Sequence, residues 1–598
     1  MSLRPQQPLP PVPNDTARIA RAAFRRGNPY MLLRDRLGAV FDDMDFADLY
    51  PALGQPAYAP WRLALVTLMQ FREGLSDRQA AEAVRGRIDW KYLLALDLAD
   101  AGFDHSVLCE FRARLLQHKA TERLLERVLD AARESGLLKA RGRQRTDSTH
   151  VLAAIRTLNR LELVAETLRA VLNAIAVIVP DWLRGIAPAD WHERYDRRVE
   201  AMRLPETGPK RDAYFIQVGA DGFLLLDALD GAGAPPDAAA LPAIAVLRRV
   251  WARHFERDEG STGGGASVGV RLRVVQGRGP GDRIASPYDT EARFRAKSGT
   301  SWTGYMAHIT ETCDAGAPRL VVHADTTPAN VHEATRTEPI HAALADKGLA
   351  PAEHLVDAGY ISAGHLVAAR ERFGIDLIGP PREDMSWQTR TEGAFGTADF
   401  TINWGQQRAQ CPEGHMSANW GEYADTTRGR YIRVGFSPDD CDVCPSKARC
   451  TKTEGRGRQL TLHTRKEHEA LAAARARLEG KAGRKLYAQR QGIESAIAQA
   501  AGALGLRRAR YCGLAKTHLQ NVATAAATDI DRLGAWFADR PLAPTRISRF
   551  AAARRQDPDL EQLCRRRLEI VLGVANAGAG AHHLHVAGFG AALLPRLS

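Results

Sequence analysis

Residues 145–151, RTDSTHV, interrupt a run of helical patterning with a segment that carries a carboxylate where a half-buried side chain belongs. Thr146, Thr149 and Val151 favour an extended strand within RGRQRTDSTHVLAAI, residues 141–155. Asp147 is then a charge in a partly buried row, and such a charge needs a partner or a metal.

Working outward, two further acids sit in unusual places. Asp357 ends the apolar run HLV and precedes Ala-Gly-Tyr, at the C-terminal end of a strand, where open α/β sheets build their sites. Glu494 lies inside the helical stretch KLYAQRQGIESAIAQA, residues 485–500. At ~100° per residue, Tyr487, Arg490 and Glu494 fall within about 60° of one another and share one helical face. Three carboxylates brought together can hold two Mg²⁺ ions for phosphoryl transfer, with Arg490 and Tyr487 facing a phosphate. The plain alternative is that each carboxylate is a cap or an ion-pair partner. Asp325, in VVHADTT, also ends a strand and competes with Asp357 for the second place.

Upstream, WRLALVTLMQFREG (61–74) places Leu65, Leu68 and Met69 at helical spacing, with Gly74 as a stop. Ser76 and Gln79 form a capping-box pattern, so a second helix follows after a very short turn. Further helices are expected from Ser106 and from Thr121 to about Ser135. This pattern fits a helix-turn-helix or a plain bundle, and spacing does not separate them. Downstream of 155, Leu158, Leu161, Val164, Leu168, Val171, Leu172 and Ile175 form one stripe of a long helix, and the region to about His254 reads as a helical insertion. STGGGASVG (261–269) reads as a connector. From about 300, strands and helices alternate, the order fails after Pro380, and Arg465–Leu504 is again helical.

Taken in order, RTDSTHV, LVDAGY and YAQRQGIE resemble the three catalytic segments of DDE-class transposases of bacterial insertion sequences. Tyr487-x2-Arg490-x3-Glu494 resembles the tyrosine-arginine-glutamate signature of that class. The block from Tyr58 to Leu98, HSVLCEFRARL, and LRRARYCGLAKTHLQNVATAAATDIDRL after the glutamate are similar to the same class, closest to the group numbered eleven eighty-two. The resemblance spans roughly residues 30–550. It implies a mixed α/β protein with an RNase H-like core, Asp147 on the first strand, Asp357 after the fourth, and Glu494 on a helix against the sheet. It also implies Mg²⁺ or Mn²⁺, double-stranded DNA as element ends and target, and a homo-oligomer in the synaptic complex. One position departs: a lysine that some relatives carry seven residues after the glutamate is Ala501, so its role passes to Arg507, Arg508 or Lys516 or is absent.

On this reading residues 1–30 are a flexible arm, 31–138 an N-terminal helical DNA-binding domain, 139–155 the first core strand, 156–290 the mostly helical insertion and 291–380 the core. Residues 381–464 are an insertion subdomain with the cysteines, 465–540 the C-terminal helices, and 541–598 a basic, then low-complexity tail.

Within 381–464, Cys411, Cys441, Cys444 and Cys450 give one C-x2-C pair flanked by two singles. Four thiolates suit a structural Zn²⁺, with His415 an alternative ligand and free thiols in a reducing compartment the competing reading. Cys109, Cys313, Cys512 and Cys564 are scattered and read as ordinary small residues.

The 598 residues are 45% hydrophobic and 25% charged, which excludes a disordered, fibrous or membrane class. The start is Pro-rich without an apolar signal core, and cytoplasmic, nucleoid-associated placement is expected. Lys and Arg (82) exceed Asp and Glu (70) for a net charge of +12, which permits nucleic acid without requiring it. The excess is local: from Lys481 onward there are 18 Lys or Arg against 8 Asp or Glu. Arg507, Arg508, Arg510 and Lys516 there are candidate phosphate contacts, and Tyr511 a candidate base-stacking ring. The sequence therefore points to a transposase that cuts and joins DNA. An RNase H-like nuclease or resolvase, or an inactive DNA-binding regulator, are the rivals.

Overall fold

The computed structural model describes residues 2–540 apart from 6, 201, 203, 206–207, 259–268, 274–282, 298 and 427–428. Cys564, the tail beyond 540 and all but the last residue of the 261–269 connector lie outside the described residues.

Local signals place the first helices. α1 (Pro60–Glu73) starts on a proline and stops at Gly74, whose φ of 70° lets its N–H reach the Gln70 and Phe71 carbonyls. α2 (Asp77–Gly86) opens on the reciprocal Ser76/Gln79 capping box. α3 (Ser106–Gln117) and α4 (Arg123–Glu134) complete the group. α1 is buried on every side, from Trp61 through Phe71, so it is the centre of a bundle and offers no free face to a DNA groove. Residues 1–30 contain a helix, Asn14–Ala23, held down by Thr16, whose hydroxyl donates to the Leu96 carbonyl in the interior. The arm expected there is docked because this helix buries Thr16 and Ala20.

The catalytic-core sheet begins with β1 (Arg143–Leu152). The chain then leaves for the insertion, whose main helices are α5 (Arg160–Ile178), α6 (Pro209–Asp230) and α7 (Pro242–His254). These enclose their own apolar cluster around Leu168, Val218, Leu247 and Trp251. A short edge strand, Arg293–Lys297, precedes β2 (Thr300–Thr312) and β3 (Val321–Pro328). After α8 (Thr337–Asp346) come β4 (Glu353–Val356), α9 (Ala363–Phe373) and β5 (Asp376–Ile378). β1 lies between β2, antiparallel, and β4, parallel; β3 pairs outside β2 and β5 outside β4. This order, β3-β2-β1-β4-β5 with β2 alone antiparallel to the other four, is the RNase H-like arrangement.

The insertion subdomain carries a small antiparallel sheet of β6 (Asn419–Asp425), β7 (Gly429–Gly435) and β8 (Gln459–Leu462) over a compact apolar centre at Phe400, Val434 and Leu460. The closing helices are α10 (Arg465–Glu479), α11 (Lys481–Ala488), α12 (Gly492–Ala503) and α13 (Leu514–Phe537). The long helix expected over 465–504 is thus divided at Gly480 and again tightened into a 3₁₀ turn at Gln489–Gln491. α8 and α9 cover one face of the sheet; α12 and α13 cover the other. α13 also joins the N-terminal bundle to the core: His518 meets Glu122 at 2.6 Å and Asp531 meets Arg72 at 2.5 Å. One continuous apolar cluster runs from Tyr30 to Leu533 through both.

Candidate active site

Alternation along β1 puts Arg145, Asp147 and Thr149 on one face and Thr146, Ser148 and His150 on the other. Register places the competing aspartates on the sheet. Thr146 of β1 pairs with Val356 of β4 as the last partners of this parallel ladder, so Asp147 and Asp357 each follow it by one residue, near enough for the Asp357 charge to act on Asp147. Ser148 pairs with His308 of β2, and His308 with Asp325 of β3. Asp325 therefore shares the face of Ser148, opposite to Asp147, and Arg336 occupies its carboxylate at 2.7 Å. Burial opposes the Asp325 charge, but His308 and Arg336 outweigh it and hold the carboxyl below its usual range.

Asp147 accepts from the Ser148 N–H at 2.7 Å and from Arg490 at 2.9 Å. Burial still pushes its pKa up, helped by the nearby Asp357 charge, against the pull of the Ser148 N–H and Arg490. Asp357 accepts from the Ala358 N–H at 2.7 Å, capping a short 3₁₀ turn. Glu494, in the first turn of α12, is 64% exposed and stands 3.6 Å from the second terminal nitrogen of Arg490. Arg490 thus stands among all three carboxylates; burial works against its charge, but Asp147, Tyr487 and Asp357 raise its pKa above the ordinary value. Tyr487 is half-buried one turn earlier, its hydroxyl pKa raised by burial and lowered in part by Arg490.

This donor set suits a divalent cation: three carboxylates, two of them adjacent at strand positions, already gather around a positive group. Among the described residues, no set of three or more His, Cys, Asp or Glu stands close enough as it is to share an ion. Arg490 fills the space between Asp147 and Glu494.

The basic candidates divide. The segment after α12 lies along the end of β1: the Leu152 N–H donates to the Arg507 carbonyl, and the Ala509 N–H to the Leu152 carbonyl, both at 2.8 Å. Arg507 and Arg508 are exposed there, and Arg507 donates to Thr149 at 3.0 Å, two residues along from Asp147 on the same face. Lys516 is exposed in the first turn of α13. Arg510 is different: it donates to the Leu75 carbonyl at 3.0 Å and lies 4.8 Å over the Phe71 ring. Its guanidinium ties the segment before α13 to the N-terminal bundle. Tyr511 has the Arg112 guanidinium over its ring at 5.7 Å.

Cys411, Cys441, Cys444 and Cys450 line a single small cavity with His415, Phe395 and Phe436, and all four are free thiols. Cys411 opens a tight turn closed by its N–H to the His415 carbonyl at 2.9 Å, and the Arg458 N–H donates to Cys441 Sγ at 3.3 Å. The four side chains converge, but not to ligand distance of one centre.

Two family models match the chain. A transposase domain of the DUF772 family matches residues 21–114, and a transposase DDE domain matches residues 410–534, the part that holds Glu494. The protein is a DDE-type insertion-sequence transposase. No curated protein and no solved structure matches it. The transposase works on DNA and depends on a divalent metal, as its family does. Neither model spans Asp147 or Asp357, and neither separates groups within the class. Among the described residues, no helix of the transposase is long and apolar enough to cross a membrane.

The sequence reading missed Arg145, Glu311 and Arg532, a buried ion group beside Asp147. Strand alternation alone places Arg145 on the face of Asp147, and that was the available signal.

Proposed function

We propose that Asp147, Asp357 and Glu494 hold the metal ions of this transposase and that Mg²⁺, or Mn²⁺ in its place, is the metal. The reading rests on one observation: the cross-strand adjacency of Asp147 and Asp357, with Arg490 between them and Glu494. Two such ions, when bound, lower the pKa of the attacking hydroxyl or water and stabilise the leaving oxygen. The chain's own groups position the DNA. Arg490 and Tyr487 face the scissile phosphate, while Arg507, Arg508 and Lys516 hold the backbone of the strand beside β1. Hydrolysis at the element end frees a 3′-OH, and the same site then directs that hydroxyl into target DNA. Joining two ends requires at least a homodimer, working in the cytoplasm at the nucleoid.

Asp147→Asn, Asp357→Asn and Glu494→Gln are each expected to abolish cleavage and strand transfer while end-DNA binding persists. Cleavage without joining in the unaltered protein would favour a nuclease or resolvase. Retained cleavage in any of the three variants would remove that residue from the set.

A structural Zn²⁺ at Cys411, Cys441, Cys444 and Cys450 is a separate proposal, supported by their convergence on one cavity and by the Arg458 N–H aimed at Cys441 Sγ. Near-stoichiometric zinc in the purified protein is expected, and its absence would sink the idea.

A further inference from the structure

Arg145 lies two residues before Asp147 on the same face of β1, with its side chain 3% exposed. Its Nε donates to Glu311 Oε1 of β2 at 2.7 Å, and Glu311 is wholly buried. Its Nη1 donates to the main-chain carbonyl of Gln489, the residue before Arg490. In an unbroken α-helix that carbonyl serves the N–H four residues on. Here a cation from β1 also holds it, where the chain tightens into the 3₁₀ turn ahead of α12.

Gly492 makes the approach feasible. A Cβ at that position would fall 2.0 Å from Arg145 Nη1, so the guanidinium occupies the space a side chain would need. From the other side, Arg532 of α13 donates to Glu311 Oε2 at 2.6 Å, and its Nε reaches Gln499 Oε1 of α12 at 3.3 Å. The buried charges therefore grip both the entry turn and the body of the helix that carries Glu494.

We infer that Arg145 is a positioning residue of the active site, holding the Gln489 carbonyl so that Arg490 and Glu494 stand at a fixed distance from Asp147. The inference rests on the assignment of Glu494 as the third carboxylate. A planar guanidinium serves Glu311 and Gln489 together, whereas an ammonium is a single point charge on a flexible stem. Arg145→Lys keeps the ion pair with Glu311 and loses the hold on the turn. Misplacement of a catalytic group by about 1 Å costs on the order of 10²-fold in rate.

The test uses the full-length protein and duplex DNA carrying the element end. Arg145→Lys and Gly492→Ala are each expected to lower kcat for Mg²⁺-dependent cleavage ~100-fold with DNA affinity changed less than about threefold. Hydrogen exchange in residues 487–495 is expected to quicken in both, without DNA or metal present. Cleavage and exchange like the unaltered protein in both variants would overturn the inference. So would a loss of cleavage that only follows a fall in melting temperature and in DNA binding. If Arg145→Lys fails to fold, Gly492→Ala decides, because it leaves both members of the ion pair in place. Glu494→Gln is run alongside: cleavage retained there overturns the carboxylate assignment, while the exchange rates still decide whether Arg145 holds the turn.

Discussion

Arg490 bridges Asp147 and Glu494, 2.9 Å from the first and 3.6 Å from the second, so a cation of the chain's own stands where the three carboxylates converge. A fixed guanidinium competes by charge with a divalent ion and, turned outward, is suited to a phosphate. Arg490→Gln is therefore expected to tighten Mn²⁺ binding in the absence of DNA while lowering cleavage on the order of 10²-fold, the loss typical of one removed transition-state donor. Paramagnetic resonance of free Mn²⁺ measures the first and end-cleavage kinetics the second. Weaker Mn²⁺ binding in the variant would show that Arg490 supports the metal site instead of competing with it.

Asp357 and Asp325 separate by face. Asp357→Asn is expected to remove cleavage, whereas Asp325→Asn is expected to leave it within about threefold and to cost ~1–3 kcal/mol of stability by stranding Arg336. Cleavage rates and chemical denaturation of the two variants check this, and the reverse pattern would exchange their roles.

What the sequence discloses and what it hides follow the distance over which a cause acts. The β1 strand, the Ser76 capping box and the Gly74 stop are legible because each is set by residues within a few positions. Asp147 stands out because a carboxylate in a half-buried strand is locally anomalous. The LVDAGY resemblance points to Asp357 over Asp325, but that Asp325 lies on the sheet face opposite to Asp147 needs cross-strand register, which no local pattern encodes. The break in the helix before Glu494 has part of its cause in Arg145, 344 residues upstream. Arg510 reads as a free cation in a basic run, yet its partners, Leu75 and Phe71, belong to the N-terminal bundle.

That same difference separates the basic residues after α12. Arg507 is exposed beside Thr149, so Arg507→Ala is expected to weaken end-DNA binding and reduce the slope of log affinity against log salt by about 1. Arg510→Ala is expected to leave that slope unchanged and to lower stability by ~1–3 kcal/mol through the lost contacts to Leu75 and Phe71. Binding isotherms at several salt concentrations, with melting curves of the same variants, distinguish the two. A salt-slope change in Arg510→Ala would return it to the DNA-contacting set.

The sheet face opposite Asp147 carries buried histidines that must stay neutral. His354 joins Thr146 at 2.7 Å and His341 at 2.8 Å, and His308 joins Tyr360 at 2.7 Å. Burial lowers the pKa of His341 and His308 to about 4 each and that of His354 well below its ordinary value. The unfolded chain, with histidines near 6.5, takes up protons that the folded protein refuses, so stability present above pH ~6.5 is lost as pH falls toward 4. For His308 alone a depression of that size corresponds to ~3 kcal/mol across the window. Melting temperature is therefore expected to drop between pH 7.5 and 5, and His341→Gln is expected to show a smaller drop than the unaltered protein. An identical drop in the variant would mean that the acid sensitivity arises elsewhere in the fold.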